Sequence, residues 1–266
     1  MINWPQNRQP KKNAFVTLAT DYGQMIVNRF DFNHSPDGKA MYGVGYCLLE
    51  TSAFDPQEIN QMMSLLDMQR QLRGTGVVML DGGANIGVHS LAAGRAMQGW
   101  GSVIAFEAQE RVFYALAGNI AMNNLFNVQV KWNALAQTTS VIDIPVPDYM
   151  VPSSFGSLEM QYTDKSENIG QRIDINHTQK VQAITIDSLE LTRLDYLKLD
   201  VEAMEEQVIK GGLETIALTK PIIQVEILKS GQPLIDLIKS LGYTVYLQGN
   251  DAICVANGDR LLEFIK

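Results

Sequence analysis

The sequence of 266 residues predicts an α/β fold built around a mostly parallel sheet. From residue 77 onward, short apolar runs of strand length alternate with helical patterns, which is typical of a parallel sheet covered by helices. A glycine-rich turn joins the first of these strands to its helix, as in many ligand-binding α/β domains. The last two strand patterns form a β-hairpin, so the sheet is expected to end antiparallel.

The elements of this alternation follow from apolar periodicity. Predicted strands cover residues 77–80, 103–106, 128–130, 181–186, 196–199 and 222–227, and the closing hairpin covers 243–247 and 252–256. A helix between the second and third strands buries Val112, Phe113, Leu116 and Ile120. Another is predicted directly after Asp200, with Val201, Met204 and Val208 on one face and Gly211-Gly212 as its end. A further helix covers 233–241.

Residues 1–75 are predicted to form a β-rich and helical N-terminal extension to a main domain at 76–266. Residues 14–20 and 24–30 flank a turn at Asp21, which indicates a hairpin. Asp55 is a candidate helix cap followed by Pro56 and then by Glu58, the order of a helix start. The methionine-rich stripe after it is interpreted as core packing. Residues 145–180, rich in proline, serine and glycine, are predicted to be a long loop.

Composition restricts the class of partner. The net charge is −8, and no block of lysine or arginine would attract a phosphate backbone, so nucleic acid is not expected as a partner. The apolar runs are too short to span a membrane, and the N-terminus lacks the pattern of a signal peptide, which favours a cytoplasmic protein. Cys47 and Cys254 are expected to be reduced thiols, and the three histidines have no zinc-like spacing, so no metal site is predicted.

The sharpest motif is the turn that follows the strand at 77–80. It carries Asp81, Gly82, Gly83, Asn85 and Gly87, and a helix follows at once. Glycine permits positive φ and close approach of a ligand, while the start of the helix presents free N–H groups. Glu107 ends the next strand, where an acid suits the two hydroxyls of a ribose. The sequence therefore predicts a nucleoside-type ligand at the carboxyl ends of these strands.

A nicotinamide-dependent oxidoreductase is the rival interpretation, because Gly82, Ala84 and Gly87 nearly match its glycine fingerprint. Asp81 argues against it, since a carboxylate would repel a pyrophosphate and instead suits the ammonium of an amino-acid ligand. A strand, turn and helix without any ligand is a third reading of the same residues.

Five motifs in order resemble the FkbM family of class I methyltransferases. They are Asp81-Gly-Gly-Ala-Asn-Ile-Gly87, Phe106-Glu107, Ile186-Asp-Ser-Leu189, Leu197-Lys-Leu-Asp-Val-Glu202 and Val225-Glu-Ile227. The resemblance covers about residues 75–257. It implies a Rossmann-like fold with a seven-stranded sheet whose last strand is inserted antiparallel. It also implies S-adenosylmethionine as cofactor and O-methylation of a hydroxyl on a small molecule, such as a sugar or a polyketide-like natural product.

The resemblance also implies roles for residues. Asp81 and the turn residues Gly82, Gly83, Asn85 and Gly87 would hold the methionine part of the cofactor. Glu107 would hold the ribose, and Asn133 and Ala134 would lie near the adenine. Asp200 and Glu202 would face the methyl group or the acceptor. Two departures stand out: Ala203 occupies a position where the family usually has glycine, and Glu107 is followed by Ala108 instead of proline.

Methyl transfer to a hydroxyl requires removal of its proton, and a carboxylate is a usual means. Asp200 is the first candidate for this base and Glu226 the second, with a divalent cation shared by the two as an alternative. His89 is interpreted as a packed helix residue and Asp187 as a structural turn residue. A protein that binds the cofactor without catalysis also stays open.

Residues 149–177 are the candidate lid over the acceptor. Ser153, Ser154, Phe155 and Gly156 would supply hydroxyls, an aromatic face and flexibility for a polyhydroxylated acceptor. A disordered surface loop is the alternative for the same residues.

Overall fold

The structure is a computed structural model that describes residues 13–35, 37–163 and 166–263. Residues 1–12 of the predicted N-terminal extension, residues 164–165 of the predicted loop and the last three residues of the main domain lie outside the described residues.

Fourteen strands and seven helices occur in the described residues. The strands are β1 Phe15–Thr20, β2 Gly23–Asn28, β3 Asn33–His34, β4 Met41–Tyr42, β5 Val77–Gly82, β6 Gly101–Glu107, β7 Val128–Trp132, β8 Ala134–Leu135, β9 Ser140–Pro145, β10 Thr178–Ile184, β11 Tyr196–Leu199, β12 Ile222–Glu226, β13 Tyr243–Gln248 and β14 Asp251–Ala256. The helices are α1 Val44–Thr51, α2 Pro56–Arg73, α3 Val88–Ala96, α4 Glu110–Met122, α5 Glu205–Lys210, α6 Leu213–Thr219 and α7 Gly231–Ser240.

The central sheet has seven strands in the order β13-β14-β12-β11-β5-β6-β7. Strands β12, β11, β5, β6 and β7 pair in parallel, while β14 is antiparallel to both of its neighbours. Its strands are strongly apolar because helices cover both faces, as expected for a parallel sheet. The predicted fold, a mostly parallel seven-stranded sheet with an antiparallel C-terminal hairpin, is confirmed.

One predicted strand of the alternation lies outside this sheet. β10 forms a separate three-stranded sheet with β8 and β9, and it pairs antiparallel with β9 along its whole length. The place beside β5 is taken by β11 instead. Strand β9, which was not predicted, is the antiparallel partner of β10 in this second sheet.

The N-terminal elements include the predicted hairpin, which β1 and β2 form. Helix α2 begins at Pro56 as expected, but Asp55 does not cap it: Asp55 has φ 41° and its side chain makes no cap hydrogen bond. The interaction predicted for Glu58 at the helix start is therefore also wrong, because its carboxylate accepts a hydrogen bond from Gln224 and pairs with His89. Helix α1 was not predicted, because its eight residues show no clear apolar stripe.

The hairpin packs on the central domain through β2 and α4. Met25 and Val27 of β2 are fully buried in the same apolar cluster as Met79 of β5. The amide of Asn119 on α4 accepts from the backbone N–H of Ile26 at 2.5 Å, which fixes the position of the hairpin. The division into an extension at 1–75 and a domain at 76–266 stays a prediction, although the two parts share one core.

The helix predicted directly after Asp200 begins later, at Glu205. Val201 therefore lies outside it, and Glu202 and Ala203 adopt left-handed backbone conformations with φ 50° and 72°. The helix starts later because the chain turns sharply after the end of β11. Asp187 has the structural role expected of it: its carboxylate accepts from the backbone N–H groups of Glu214 and Thr215 at the start of α6.

Ala203→Gly should stabilise the protein. The left-handed conformation of Ala203 strains a residue with a Cβ by about 1–2 kcal/mol, and glycine relieves it at the cost of a more flexible unfolded chain. We expect the free energy of unfolding to rise by about 0.5–1 kcal/mol, measured by urea denaturation. Ala117→Gly, inside helix α4, is the matched control and should lower it by about 1 kcal/mol. A loss of stability in Ala203→Gly would contradict this account.

Candidate functional site

A cavity of about 450 Å³ lies at the carboxyl ends of the central strands. The turn after β5, the end of β6 and the end of β11 form its floor. In open α/β sheets this edge is where ligands bind, and the volume lies in the usual range of small-molecule sites. Five predicted site residues line the cavity: Gly83, Asn85, Glu107, Asp200 and Glu202.

The turn after β5 is packed against the end of β11. Gly83 has φ 78°, and a Cβ placed on it would lie 1.8 Å from the backbone oxygen of Asp200. The N–H groups of Gly83 and Ala84 both donate to the carbonyl of Phe106 in β6. Glycine at 83 is therefore required both by conformation and by close approach, and it holds three strand ends together at the cavity.

Glu107 is a buried carboxylate on the cavity wall. Its Oε2 accepts from the backbone N–H of Asn85 at 2.9 Å, and its Oε1 accepts from that of Gln109 at 2.8 Å. Burial raises its pKa to about 7 against the lowering effect of these two hydrogen bonds. Each carboxylate oxygen keeps a second lone pair, so Glu107 can accept two further hydrogen bonds from a ligand.

Asp81, Gly82 and Gly87 support the turn and do not line the cavity in the described residues. The buried carboxylate of Asp81 accepts from the hydroxyl of Ser90 at 2.6 Å, while its Oδ1 has no hydrogen-bond partner. A Cβ on Gly82 would lie 2.9 Å from Leu135 and Leu199, and Gly87, with φ 93°, begins α3. These three residues support the conformation of the turn but do not form the cavity wall.

Asn133 and Ala134 lie outside the cavity lining as well. Asn133 donates to the carbonyl of Gln182 at 3.0 Å, and Ala134 is buried in β8. Beside Glu107, the cavity wall is instead formed by Gln109, whose amide donates to the carbonyl of Phe155 at 2.8 Å.

Asp200 follows the last residue of β11, and its side chain is 44% exposed. Its Oδ2 lies 3.5 Å from the ammonium of Lys198, which also lines the cavity and is only 5% exposed. Burial alone would lower the pKa of Lys198, but the negative charges of Asp200, Asp81 and Glu58 raise it. A charged lysine therefore sits beside the candidate base.

Glu202 and Glu226 lie within electrostatic reach of Asp200. Burial, followed by the charge of Asp200, raises the pKa of each to about 8. Glu202 lines the cavity and binds Lys229 at 2.6 Å. Glu226 does not line it in the described residues, and its Oε2 is buried without a hydrogen-bond partner. The three candidate catalytic carboxylates thus form one electrostatic group with Asp200 the most accessible.

His89 is a cavity residue whose setting the sequence did not reveal. It lies in the first turn of α3, is largely buried, and its Nε2 lies 2.9 Å from Oε1 of Glu58. Burial would raise the pKa of Glu58, but the hydrogen bond and charge of His89 and the charge of Lys198 lower it to about 2. Since Glu58 comes from α2 of the N-terminal part, no local motif could have predicted this pair.

The rest of the wall comes from outside the sheet. The N-terminal part contributes a group of residues: Tyr42, Gly43, Val44, Cys47, Phe54 and Asp55. From the predicted lid, Ser154 and Gly156 line the cavity, with Leu158 and Met160 after them. Ser153 and Phe155 do not; both are buried, and the backbone N–H of Phe155 donates to Asp31. The described part of this loop is packed against the N-terminal part.

The described residues offer neither a metal cluster nor a membrane-spanning helix. No group of three or more histidine, cysteine, aspartate or glutamate side chains there could hold a metal ion. Across the same residues, every helix is too short or too polar to span a membrane. Cys47 and Cys254 are both free.

The sequence of residues 81–245 matches the methyltransferase FkbM domain family. The chain belongs to the FkbM family. No curated protein matches it. The matched range contains all the predicted site residues, whereas Asp55 and Glu58, which the N-terminal part brings to the FkbM domain, precede it.

Several solved methyltransferases are similar in structure. The FkbM methyltransferase of Methylobacillus flagellatus KT is 16% identical to this chain, with a TM-score of 0.48. The matched region covers 68% of this chain and 43% of the Methylobacillus chain. This chain thus spans less than half the length of that protein. A precorrin-6y C5,15-methyltransferase of Geobacter metallireducens GS-15 is 12% identical, with a TM-score of 0.44 and coverages of 77% and 89%. A SAM-dependent O-methyltransferase of Thermotoga maritima is 13% identical, with a TM-score of 0.43 and coverages of 88% and 74%.

The raised pKa of Glu226 makes the stability of this FkbM domain depend on pH. Folding raises that pKa from about 4.5 to about 8, so between these values the native state holds a proton that the unfolded chain releases. The contribution of Glu226 to the free energy of unfolding is therefore fully present below pH 4.5, and it is lost as pH rises through 8. Glu226→Gln should make the decline in stability between pH 5 and pH 8 shallower, measured as urea midpoints.

The exposed Glu214→Gln is the matched control for this measurement, and its decline should follow that of the wild type. An unchanged decline in Glu226→Gln would show that Glu226 does not hold its proton in the folded state.

Proposed function

We propose that the chain is an S-adenosylmethionine-dependent methyltransferase that methylates a hydroxyl group of a small molecule. The observation that carries the proposal is the position of two carboxylates in one cavity. Glu107 is buried beside the glycine turn, and Asp200 is accessible at the end of the neighbouring strand β11. The first suits a ribose and the second suits a reacting hydroxyl.

The residues present fit the proposed cofactor. A Cβ on Gly83 would fill the space between the turn and Asp200, so the backbone there is unusually compact beside the cavity. Glu107 keeps two free lone pairs for a pair of ribose hydroxyls. Asp200 and the backbone of the turn would bind the methionine part of the cofactor. The buried carboxylate of Asp81 would add negative charge behind the turn. Asn133 and Ala134 remain proposed neighbours of the adenine, although they stand outside the cavity wall.

When bound, the cofactor supplies an activated methyl carbon attached to a positively charged sulfur. What the chain has to provide is alignment of the acceptor, exclusion of water and removal of one proton. We assign the proton to Asp200, which is the most accessible of the three carboxylates. Glu226 is the second candidate, and it can accept a proton only as pH rises through about 8, where its own carboxyl group ionises. Glu202 lines the cavity and is proposed to face the acceptor. As Asp200 would accept the hydroxyl proton at its carboxylate, the electron pair of the broken O–H bond would stay on the acceptor oxygen and make it a better nucleophile.

The acceptor is proposed to be a sugar or a natural product of comparable polarity. Ser154 and Ser157 of the loop line the cavity, and hydroxyl side chains of this kind can form hydrogen bonds with a polyhydroxylated acceptor. The net charge of −8 disfavours a nucleic acid.

Glu107→Ala tests the cofactor site. Its removal takes away the ribose partner and leaves the N–H groups of Asn85 and Gln109 without their acceptor. We expect the affinity for S-adenosylhomocysteine, measured by calorimetry, to fall about 100-fold, or roughly 2.7 kcal/mol. Glu110→Ala is the matched control, because Glu110 bonds Tyr114 outside the cavity. Equal affinity of both variants would remove Glu107 from the cofactor site.

A further inference from the structure

Lys229 stands at the meeting point of three parts of the chain. Its ammonium lies 2.6 Å from Glu202 at the end of β11, 3.4 Å from Glu159 and 3.3 Å from Glu167. The last two carboxylates belong to the loop between β9 and β10. Lys229 itself lies between β12 and α7. We call these four side chains the Lys229 junction.

The junction is well shielded from solvent. The side chains of Lys229, Glu159 and Glu202 are each 16% exposed, and Glu167 is 37% exposed. Ion pairs at such positions are screened less than surface pairs, and removal of one partner leaves the others as uncompensated charges. With one cation facing three carboxylates, the junction depends on Lys229 more than on any single glutamate.

The loop side of the junction also has hydrogen bonds of its own. Glu159 accepts from the hydroxyl of Ser166 at 2.6 Å and from the backbone N–H of Glu167 at 3.3 Å. The hydroxyl of Tyr42, from β4, donates to Glu167 at 3.2 Å. Lys229 therefore binds two carboxylates that hydrogen bonds to other groups also hold in place.

Both sides of the junction continue into the cavity wall. Glu202 lines the cavity from the sheet side, and Leu158 and Met160, which flank Glu159, line it from the loop side. The backbone of Glu202 has a left-handed conformation, with φ 50°, and its carboxylate accepts from the ammonium of Lys229. The same cation thus holds a candidate catalytic carboxylate and the loop that covers it.

We propose that Lys229 is a positioning residue that couples closure of the loop over the cavity to the orientation of Glu202. Glu202 is oriented toward the cavity only while the loop is docked on Lys229. The importance of this orientation for methyl transfer rests on the proposed function, but the coupling itself does not.

The test compares Lys229→Met and Lys229→Arg with the wild type by amide hydrogen exchange. In Lys229→Met, amides at 154–163 and 166–169 should exchange at least about 10-fold faster, because three carboxylates are left without their cation. Arginine keeps the charge and should restore most of the protection. Lys180→Met is the matched control, because it removes an exposed lysine of β10 that pairs with Asp143 of β9, and it should change nothing at these amides. Equal exchange in Lys229→Met and Lys180→Met would overturn the proposal.

A second readout separates positioning from simple anchoring. Burial raises the pKa of Glu202 and Lys229 opposes this, so the pKa of about 8 should rise further in Lys229→Met. Carbon-detected NMR titration measures it, with the resonance assigned by Glu202→Gln. Glu167→Gln, which weakens the hold of the loop on Lys229, should speed exchange at the same amides. If Lys229→Met does not fold, Glu159→Gln and Glu167→Gln decide the question, and unchanged exchange in both refutes the coupling.

Failure of this test is distinguishable from failure of the proposed function. Exchange and titration are measured on the protein without any ligand, whereas the cofactor class is tested by binding of S-adenosylhomocysteine. A protein that binds this ligand with an unaltered loop in Lys229→Met would retain its function and lose the proposed role of Lys229.

Discussion

Gly83→Ala should abolish binding of S-adenosylhomocysteine and destabilise the protein by about 3 kcal/mol or more. The new methyl group would lie 1.8 Å from the backbone oxygen of Asp200, a contact that no side-chain rotation can relieve. The turn must then separate from β11, and its N–H groups lose their alignment with the carbonyl of Phe106. Binding is measured by calorimetry and stability by urea denaturation.

Gly99→Ala isolates the contribution of the clash. Gly99 has φ 80°, close to that of Gly83, but a Cβ there meets nothing within 4 Å. Its replacement should cost only the strain of a left-handed residue, about 1–2 kcal/mol, and leave binding intact. If Gly83→Ala were no worse than Gly99→Ala, the close approach of the turn to β11 would not matter for the site.

Asp200→Asn should lower kcat/KM for methyl transfer by about 10²- to 10⁴-fold. The amide has nearly the shape of the carboxylate but cannot take a proton from the acceptor. Affinity for S-adenosylhomocysteine should fall less than this, because Glu107 and the turn backbone still hold the ligand and only the proposed contact of Asp200 with its methionine end is lost. The assay follows label from methyl-labelled S-adenosylmethionine into fractionated sugars and polyhydroxylated natural products.

Asp236→Asn serves as the control for charge, since Asp236 is exposed on α7 and bonds Gln232. It should retain wild-type activity. Full activity in Asp200→Asn would transfer the role of base to Glu226, the second candidate, or to a group outside the three carboxylates.

The sheet was predictable because its information is local. Strands β5, β6 and β11 contain compact apolar runs, and the hairpin of β13 and β14 is marked by its turn. Gly83, Asn85 and Glu107 were predictable for a similar reason, since strand ends in parallel sheets meet at one edge. Asp200 and Glu202 followed from the same rule and from the order of motifs.

What the sequence could not indicate depends on long-range contacts. The pairing of His89 with Glu58 joins α3 to α2, and the Lys229 junction joins a loop to two strand ends. Neither contact follows from a regular spacing of residues in the sequence. The conformation of Ala203 was also hidden: alanine favours helices, but here the turn after β11 overrides that preference.

The most direct test of the central claim is calorimetric titration of the wild-type protein with S-adenosylhomocysteine and, separately, with NAD. A methyltransferase site built on Gly83 and Glu107 should bind the first ligand and show no measurable heat with the second. Binding of NAD in preference to S-adenosylhomocysteine would contradict the proposed cofactor and favour the oxidoreductase interpretation.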